Sequence, residues 1–76
     1  MYKRLKDLRE DNDFTQKKVA TVLKISQQYY SEYEMGKRPI PVSHLISLSK
    51  LYKTSIDYIV GLTDVKQAYK EKKIVN

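Results

Sequence analysis

The positions of glycine and proline place the strongest limit on how this chain folds. The 76 residues include only two glycines and two prolines, and three of these four, Gly36, Pro39 and Pro41, fall within one short stretch. Because glycine and proline are the residues that most often interrupt regular structure, we expect the rest of the chain to be helical. No run of alternating apolar and polar residues indicates a strand. The sequence therefore predicts an all-α fold.

Apolar spacing and capping residues divide the chain into five short helices. Their predicted ranges are about 2–11, 16–23, 26–35 and 42–52, with a last helix from 56 to a stop at Gly61. Thr15, Ser26 and Ser55 are the expected N-caps, because a hydroxyl there accepts an otherwise unpaired backbone N–H. Pro39-Ile40-Pro41 precedes the fourth helix, and proline is well placed at a first helical position. The predicted inward-facing residues are Tyr2, Leu5, Leu8, Val19, Ala20, Leu23, Tyr30, Tyr33, Val42, Leu45, Leu48 and Tyr52.

The sequence also predicts that Tyr33 and His44 lie at the surface. A buried tyrosine needs a partner for its hydroxyl, so we expect Tyr33 to reach the surface and touch a phosphate. We expect His44 to be a surface residue of the fourth helix.

The charge of the chain suits an anionic partner. Lys and Arg number 15 against nine acidic residues, a formal net charge of +6, which favours nucleic acid or an acidic membrane surface. Half of this excess lies in residues 65–76, where four lysines accompany a single glutamate. We therefore divide the chain into a domain over residues 1–64 and a basic tail over 65–76. The tail is a disordered arm, a helix that supports a dimer, or the start of a connection to a further segment.

Composition also argues against several classes of protein. There is no cysteine and only one histidine, so neither a disulfide nor a zinc-finger ligand set is expected, and no metal or cofactor is predicted. The sequence has no nucleophile–base pair and no glycine-rich phosphate loop, which argues against an enzyme. No segment approaches the ~20 apolar residues that span a bilayer, and no signal peptide is recognisable, so we expect a cytoplasmic, nucleoid-associated protein.

The second and third helices have the pattern of a helix-turn-helix. Each is short and capped, and only Lys24, Ile25 and Ser26 separate them. Ala20 supplies a small side chain where the two helices would cross. The outer face of the third helix carries Gln27, Gln28, Tyr29, Ser31 and Glu32, of which all but the glutamate are amides or hydroxyls.

These side chain types match the edges of DNA bases. A glutamine amide presents a donor beside an acceptor, which fits adenine in the major groove, and a glutamate accepts from cytosine N4. Gln27, Gln28 and Glu32 are therefore predicted base contacts. Tyr29 would touch a thymine methyl or a phosphate, or simply cover its neighbours. The predicted backbone contacts are Gln16, Lys17, Ser26, Ser31, Lys37 and Arg38.

Residues 4–64 resemble the lambda repressor/Cro-type (XRE) helix-turn-helix family. The resemblance is carried by Thr15-Gln16 with Val19-Ala20, Ile25-Ser26-Gln27-Gln28, Tyr30, Tyr33-Glu34, Gly36-Lys37-Arg38, Leu45, Leu48, and Ile56-Asp57-Tyr58-Ile59 with Gly61. It implies a five-helix lambda-repressor-like domain, base reading by Gln27, Gln28 and Glu32, backbone contact by Gln16, and a structural ion pair between Arg9 and Glu34. Lys24 departs from the glycine common at that turn, at a cost of roughly 1 kcal/mol if φ is positive.

The function that follows is sequence-specific binding of double-stranded DNA by a small transcriptional regulator, a repressor acting as a homodimer on a pseudo-palindromic operator. The alternative is a protein-interaction module, such as the antitoxin of a toxin–antitoxin pair. That alternative requires an apolar patch that stays uncovered in the homodimer, and Leu62, Val65, Ile74 and Val75 are its candidates. A membrane-surface peptide would need a long basic helix with a continuous apolar face, and the repeated caps argue against it.

Overall fold

The computed structural model describes residues 3–66, which form five α-helices. They are α1 (Lys3–Asp11), α2 (Gln16–Leu23), α3 (Gln27–Glu34), α4 (Val42–Tyr52) and α5 (Ile56–Ile59). The described range contains no strand, and the predicted all-α fold is confirmed. Met1, Tyr2 and residues 67–76 lie outside the described residues, and so do the predictions made for Tyr2, Ile74, Val75 and most of the tail.

Local capping determines where three of the helices begin. The hydroxyls of Thr15, Ser26 and Ser55 each accept a hydrogen bond at 3.0 Å from the backbone N–H three residues on. The three predicted caps are therefore confirmed. Pro41 is the N-cap residue of α4, and the first helical position is Val42. The proline therefore lies one residue before the position at which proline is most favoured.

Left-handed residues end two of the helices. Lys24 follows α2 with a φ of 60°, and Lys53 follows α4 with a φ of 53°. In the turn after α2, the Ile25 N–H reaches back to the Ala20 carbonyl at 3.0 Å, which closes the helix end. The positive φ considered for Lys24 is thus present, and a side chain in this conformation costs roughly 1 kcal/mol relative to glycine.

Eleven apolar residues are buried in the described part of the chain, ten of them in the helices, and together they form one core. Ala20 is 2% exposed in α2, consistent with a small residue at the crossing with α3. The eleven are Leu5, Leu8, Val19, Ala20, Leu23, Tyr30, Tyr33, Ile40, Leu45, Leu48 and Ile59. Burial of this set is the main source of stability in so small a domain.

The predicted inward orientation of Val42 is wrong. Its side chain is 67% exposed at the first position of α4, and the buried residues of this helix begin at Leu45. Ile40, which the helical spacing did not identify, is buried instead, in the extended segment that precedes α4.

The segment after α5 is tied back to the start of the domain. The Arg4 guanidinium donates to the carbonyls of Tyr58 and Thr63, pairs with Asp64, and lies 4.2 Å from the centre of the Tyr58 ring. Further on, the Thr54 hydroxyl donates to the Lys66 carbonyl. Contacts with the body of the domain thus continue to Lys66, two residues past the predicted boundary at residue 64.

Candidate nucleic-acid interface

The exposed face of α3 carries most of the predicted base contacts. Tyr30 and Tyr33 are fully buried, so the helical period turns Gln27 and Gln28 outward, and both are exposed. Tyr29 is also exposed, and Ser31 and Glu32 are half-buried. The sequence and the structure therefore agree on which side of α3 is available to a ligand.

A buried ion pair fixes α3 against the two helices before it. Arg9 of α1 forms two hydrogen bonds with the Glu34 carboxylate, from Nε at 2.7 Å and from Nη2 at 3.1 Å. The Gln16 amide of α2 donates to the same carboxylate at 3.2 Å. One side chain of α3 therefore joins three helices, and Gln16, a predicted DNA backbone contact, also has a structural role.

The surroundings of Glu34 favour its charged form. Burial disfavours the carboxylate, but the hydrogen bonds from Arg9 and Gln16 and the nearby Tyr30 hydroxyl outweigh burial, so the pKa of Glu34 lies below its ordinary value. The pKa of the Arg9 guanidinium is raised, chiefly by its hydrogen bond to Glu34. Both groups are charged at neutral pH, as a buried ion pair requires.

The prediction that Tyr33 reaches the surface is wrong. Its side chain is fully buried, and its hydroxyl lies 2.8 Å from Nδ1 of His44 in the first turn of α4. His44 is correspondingly half-buried rather than a free surface residue. The partner that the Tyr33 hydroxyl needs is thus inside the protein, and this contact couples α3 to α4.

Two buried hydroxyls lie beside the ion pair. Among residues 3–66, the hydroxyls of Tyr30 and Tyr52 have no hydrogen-bond partner of normal geometry. Burial first, and the Glu34 charge second, raise the pKa of Tyr52 to about 12, and burial raises that of Tyr30 still further. Both tyrosines therefore stay neutral throughout the physiological range.

Glu32, Arg38 and Tyr29 form a cluster on the exposed face of α3. Nε and Nη2 of Arg38 lie 2.9 and 2.7 Å from Oε1 of Glu32, and the guanidinium carbon lies 4.1 Å from the centre of the Tyr29 ring. These three residues, with Ser26 and Gln28, line an open cleft of about 150 Å³. The sequence identified each residue separately but gave no sign that the glutamate and the arginine would pair.

The remaining predicted backbone contacts surround this face. Lys17 is exposed at the start of α2, and Lys37 is exposed just after α3. The Ser26 hydroxyl accepts from the Tyr29 N–H, so Ser26 caps the positive end of the α3 dipole. Apart from the paired Glu32 and Arg38, the polar side chains of this surface are amides and hydroxyls, and Lys17 and Lys37 supply exposed cations in the segments before and after α3.

Two short capped helices joined by a three-residue turn, with a polar outer face on the second, define a helix-turn-helix domain, a class of DNA-binding domain. The sequence pattern of the helix-turn-helix family matches residues 5–59. The chain belongs to this family, in its lambda repressor/Cro (XRE) branch, which confirms the resemblance drawn from the sequence.

Three proteins of Bacillus subtilis (strain 168) are similar to this chain. The uncharacterized HTH-type transcriptional regulator YobD is 36% identical over 92% of the chain and 62% of its own length. The HTH-type transcriptional regulator ImmR is 38% identical over 86% of the chain and 51% of its own length. The uncharacterized HTH-type transcriptional regulator YqaE is 30% identical over 95% of the chain and 64% of its own length. The chain thus spans between about half and two-thirds of each relative, and no solved structure gives a significant match.

None of the helices among residues 3–66 is long and apolar enough to cross a membrane.

Proposed function

We propose that this chain binds a specific double-stranded DNA operator as a homodimer and represses transcription there, within the cytoplasm. The observation that carries the proposal is the exposed pair Gln27 and Gln28 at the start of a helix that a buried ion pair fixes in place. The first turn is the part of a recognition helix that reaches deepest into the major groove. The names of the relatives, all HTH-type transcriptional regulators, support a regulatory role.

The proposed contacts fall into two groups. Gln27, Gln28, Glu32 and Tyr29 face the bases. Gln16, Lys17, Ser26, Ser31, Lys37 and Arg38 hold the backbone and set the register. In a two-fold dimer the two recognition helices would read half-sites about 10 bp apart, centre to centre.

Selection from random duplex DNA with the purified full chain tests this function. We expect a pseudo-palindromic sequence to be recovered and bound far more tightly than random duplexes at the same salt concentration. Weak binding to every sequence that disappears as salt is raised would contradict the proposal, because it would indicate only the general attraction of a basic surface.

The role of Gln28 is tested on the selected operator. Gln28→Ala is expected to lose about 1–3 kcal/mol of discrimination between operator and random DNA, because it removes a bidentate base contact. Ser47→Ala, which also removes a polar group but lies on α4 outside the proposed surface, is the matched control. Circular dichroism melting of both variants checks that they fold. Unchanged discrimination by Gln28→Ala would remove Gln28 from the recognition set.

A protein partner is the second candidate, and two exposed apolar residues favour it. Leu62 is 78% exposed and Val65 is 56% exposed in the segment after α5. If these side chains pair in a homodimer, Leu62→Ser will shift the protein toward monomer in sedimentation. If Leu62→Ser stays dimeric, the patch remains available to another protein, as an antitoxin role requires.

A further inference from the structure

The Arg38 side chain is held by two residues of α3. Its Nε and Nη2 both contact one oxygen of Glu32, Oε1, and its guanidinium carbon lies over the Tyr29 ring, 4.1 Å from the ring centre. Glu32 and Tyr29 belong to α3, whereas Arg38 lies four residues after the end of that helix. The Arg38 side chain therefore points back onto the exposed face of α3.

These contacts leave one edge of the guanidinium for a ligand. Nη1 takes part in neither contact with Glu32. Together, Nη1 and the outer N–H of Nη2 form a two-donor fork, which matches O6 and N7 of guanine in the major groove. Arg38 also lines the same cleft as Gln28, which the proposed function places at a base.

The charge of the cluster favours a base over a phosphate. Glu32 neutralises the Arg38 guanidinium at contact distance, and attraction to phosphate depends on net positive charge and on the release of counterions. The edge of a base carries no net charge, so recognition there depends on the position of the donors, which Glu32 and Tyr29 restrict. Lys37 differs, because its side chain is exposed and no ion pair of Lys37 is found among residues 3–66.

We propose that Arg38, oriented by Glu32 and Tyr29, reads a guanine of the operator, and that it is a specificity-determining residue rather than a phosphate contact. Glu32 is then a positioning residue that acts through Arg38, and the G·C pair is recognised from its guanine side. This inference rests on the proposed function and revises two of its contacts: Arg38 moves from the DNA backbone to a base, and Glu32 moves from a base to the support of Arg38.

The test replaces each guanine of the selected operator in turn by 7-deazaguanine, which lacks the N7 acceptor. We expect the wild-type chain to lose about tenfold or more in affinity at one guanine of each half-site. Arg38→Gln and Arg38→Lys are expected to lose a similar factor on the ordinary operator and to become insensitive to 7-deazaguanine at that position. Glu32→Gln is expected to lose part of the same preference without a fall in the salt dependence of binding.

Lys37→Gln is the matched control for a phosphate contact. It is expected to weaken operator and random DNA alike, to lower the slope of log affinity against log salt by about 1, and to keep the full sensitivity to 7-deazaguanine. Melting of each variant by circular dichroism ensures that only folded proteins are compared.

Three results would overturn the assignment of Arg38. The first is a wild-type affinity that no 7-deazaguanine substitution changes. This result would favour a direct contact from Glu32 to cytosine N4, because that contact does not use guanine N7. The second is uniform weakening by Arg38→Gln with the reduced salt slope of the Lys37 variant. The third is full retention of operator preference by Arg38→Lys, because a lysine preserves the charge but not the fork. Failure of the proposed function is distinguishable, because the wild-type chain would then select no sequence at all.

Discussion

At the scale of single residues, Glu34 has the largest structural role among the charged side chains of α3. Its carboxylate accepts hydrogen bonds from α1 and α2 while its backbone belongs to α3, and the side chain is only 5% exposed. A buried ion pair whose hydrogen bonds are all formed holds one geometry. Removal of one member of the pair leaves the charge of the other member buried without compensation. This one carboxylate therefore helps to fix the orientation of α3 relative to α1 and α2.

Replacing Glu34 is expected to be costly at neutral pH. Glu34→Gln leaves the Arg9 guanidinium without a counter-charge and should lower the free energy of unfolding by about 3 kcal/mol. Glu32→Gln is the matched control, because that pair is much more exposed and should change stability by less than about 1 kcal/mol. Urea unfolding of both variants measures the difference. Equal small losses would mean that the Arg9–Glu34 pair does not contribute to stability.

The same carboxylate predicts how stability responds to acid. The pKa of Glu34 is lower in the folded state than its ordinary value of 4.5, so the folded protein holds the proton less tightly than the unfolded chain. The stabilisation is therefore complete above pH 4.5 and is lost as pH falls through the folded-state pKa. We expect the difference in unfolding free energy between wild type and Glu34→Gln to shrink over that acid range. A difference that stays constant with pH would contradict the assigned shift.

Contacts between side chains of different elements were the least predictable feature. The sequence suggested Arg9 with Glu34 only through the family resemblance, and it suggested neither Tyr33 with His44 nor Glu32 with Arg38. Helical periodicity tells which side of a helix a residue occupies, but it does not fix the rotamer of a long side chain or the angle at which two helices meet. The exposed positions of Gln27 and Gln28 depend on periodicity alone, so the sequence placed them correctly.

At the scale of helices and turns, the sequence predicted most of the boundaries, because the signals for them are local. A serine or threonine cap acts on a backbone N–H three residues away, so it can be recognised without knowledge of the fold. The left-handed lysine after α4 was not predicted, since lysine carries no preference for that conformation. The error at Val42 arose because a periodic pattern does not show where the neighbouring helices end.

The two left-handed lysines predict a route to higher stability. Lys24→Gly and Lys53→Gly should each raise the free energy of unfolding by up to about 1 kcal/mol, because glycine adopts positive φ without the steric cost of a Cβ. Lys50→Gly, the same substitution inside the last turn of α4, is the control and should lower stability by a similar amount. Thermal melting monitored by circular dichroism gives all three values. A loss of stability in Lys24→Gly would show that its side chain makes compensating contacts.

At the scale of the whole molecule, charge is unevenly distributed along the chain. Residues 67–76 contain Lys70, Lys72 and Lys73 against Glu71, whereas the proposed reading face is mostly uncharged. We infer that the domain determines the preference for one DNA sequence, whereas residues 67–76 increase the affinity for DNA of any sequence. The contacts made by Arg4, Thr54 and Lys66 fix the residues that directly precede position 67 against the domain.

Removal of residues 67–76 tests this inference. Among residues 3–66, the contacts that tie the segment after α5 to the domain would all be kept in this truncation, so we expect the melting temperature to be nearly unchanged. The slope of log affinity against log salt should fall by about 2, in line with the net loss of positive charge, while operator preference persists. Sedimentation provides the contradicting outcome, because conversion to monomers would assign the tail to the dimer.

The alternation of buried and exposed positions along α3 has a consequence for how such proteins diverge. Tyr30, Tyr33 and Glu34 hold the helix, whereas Gln27 and Gln28 do not belong to the core. Substitution of the outer residues therefore leaves the scaffold intact, since exposed positions tolerate change with little effect on folding. On the proposed function, a few point mutations at these positions would change the DNA target, and we expect the intermediates along that path to remain folded.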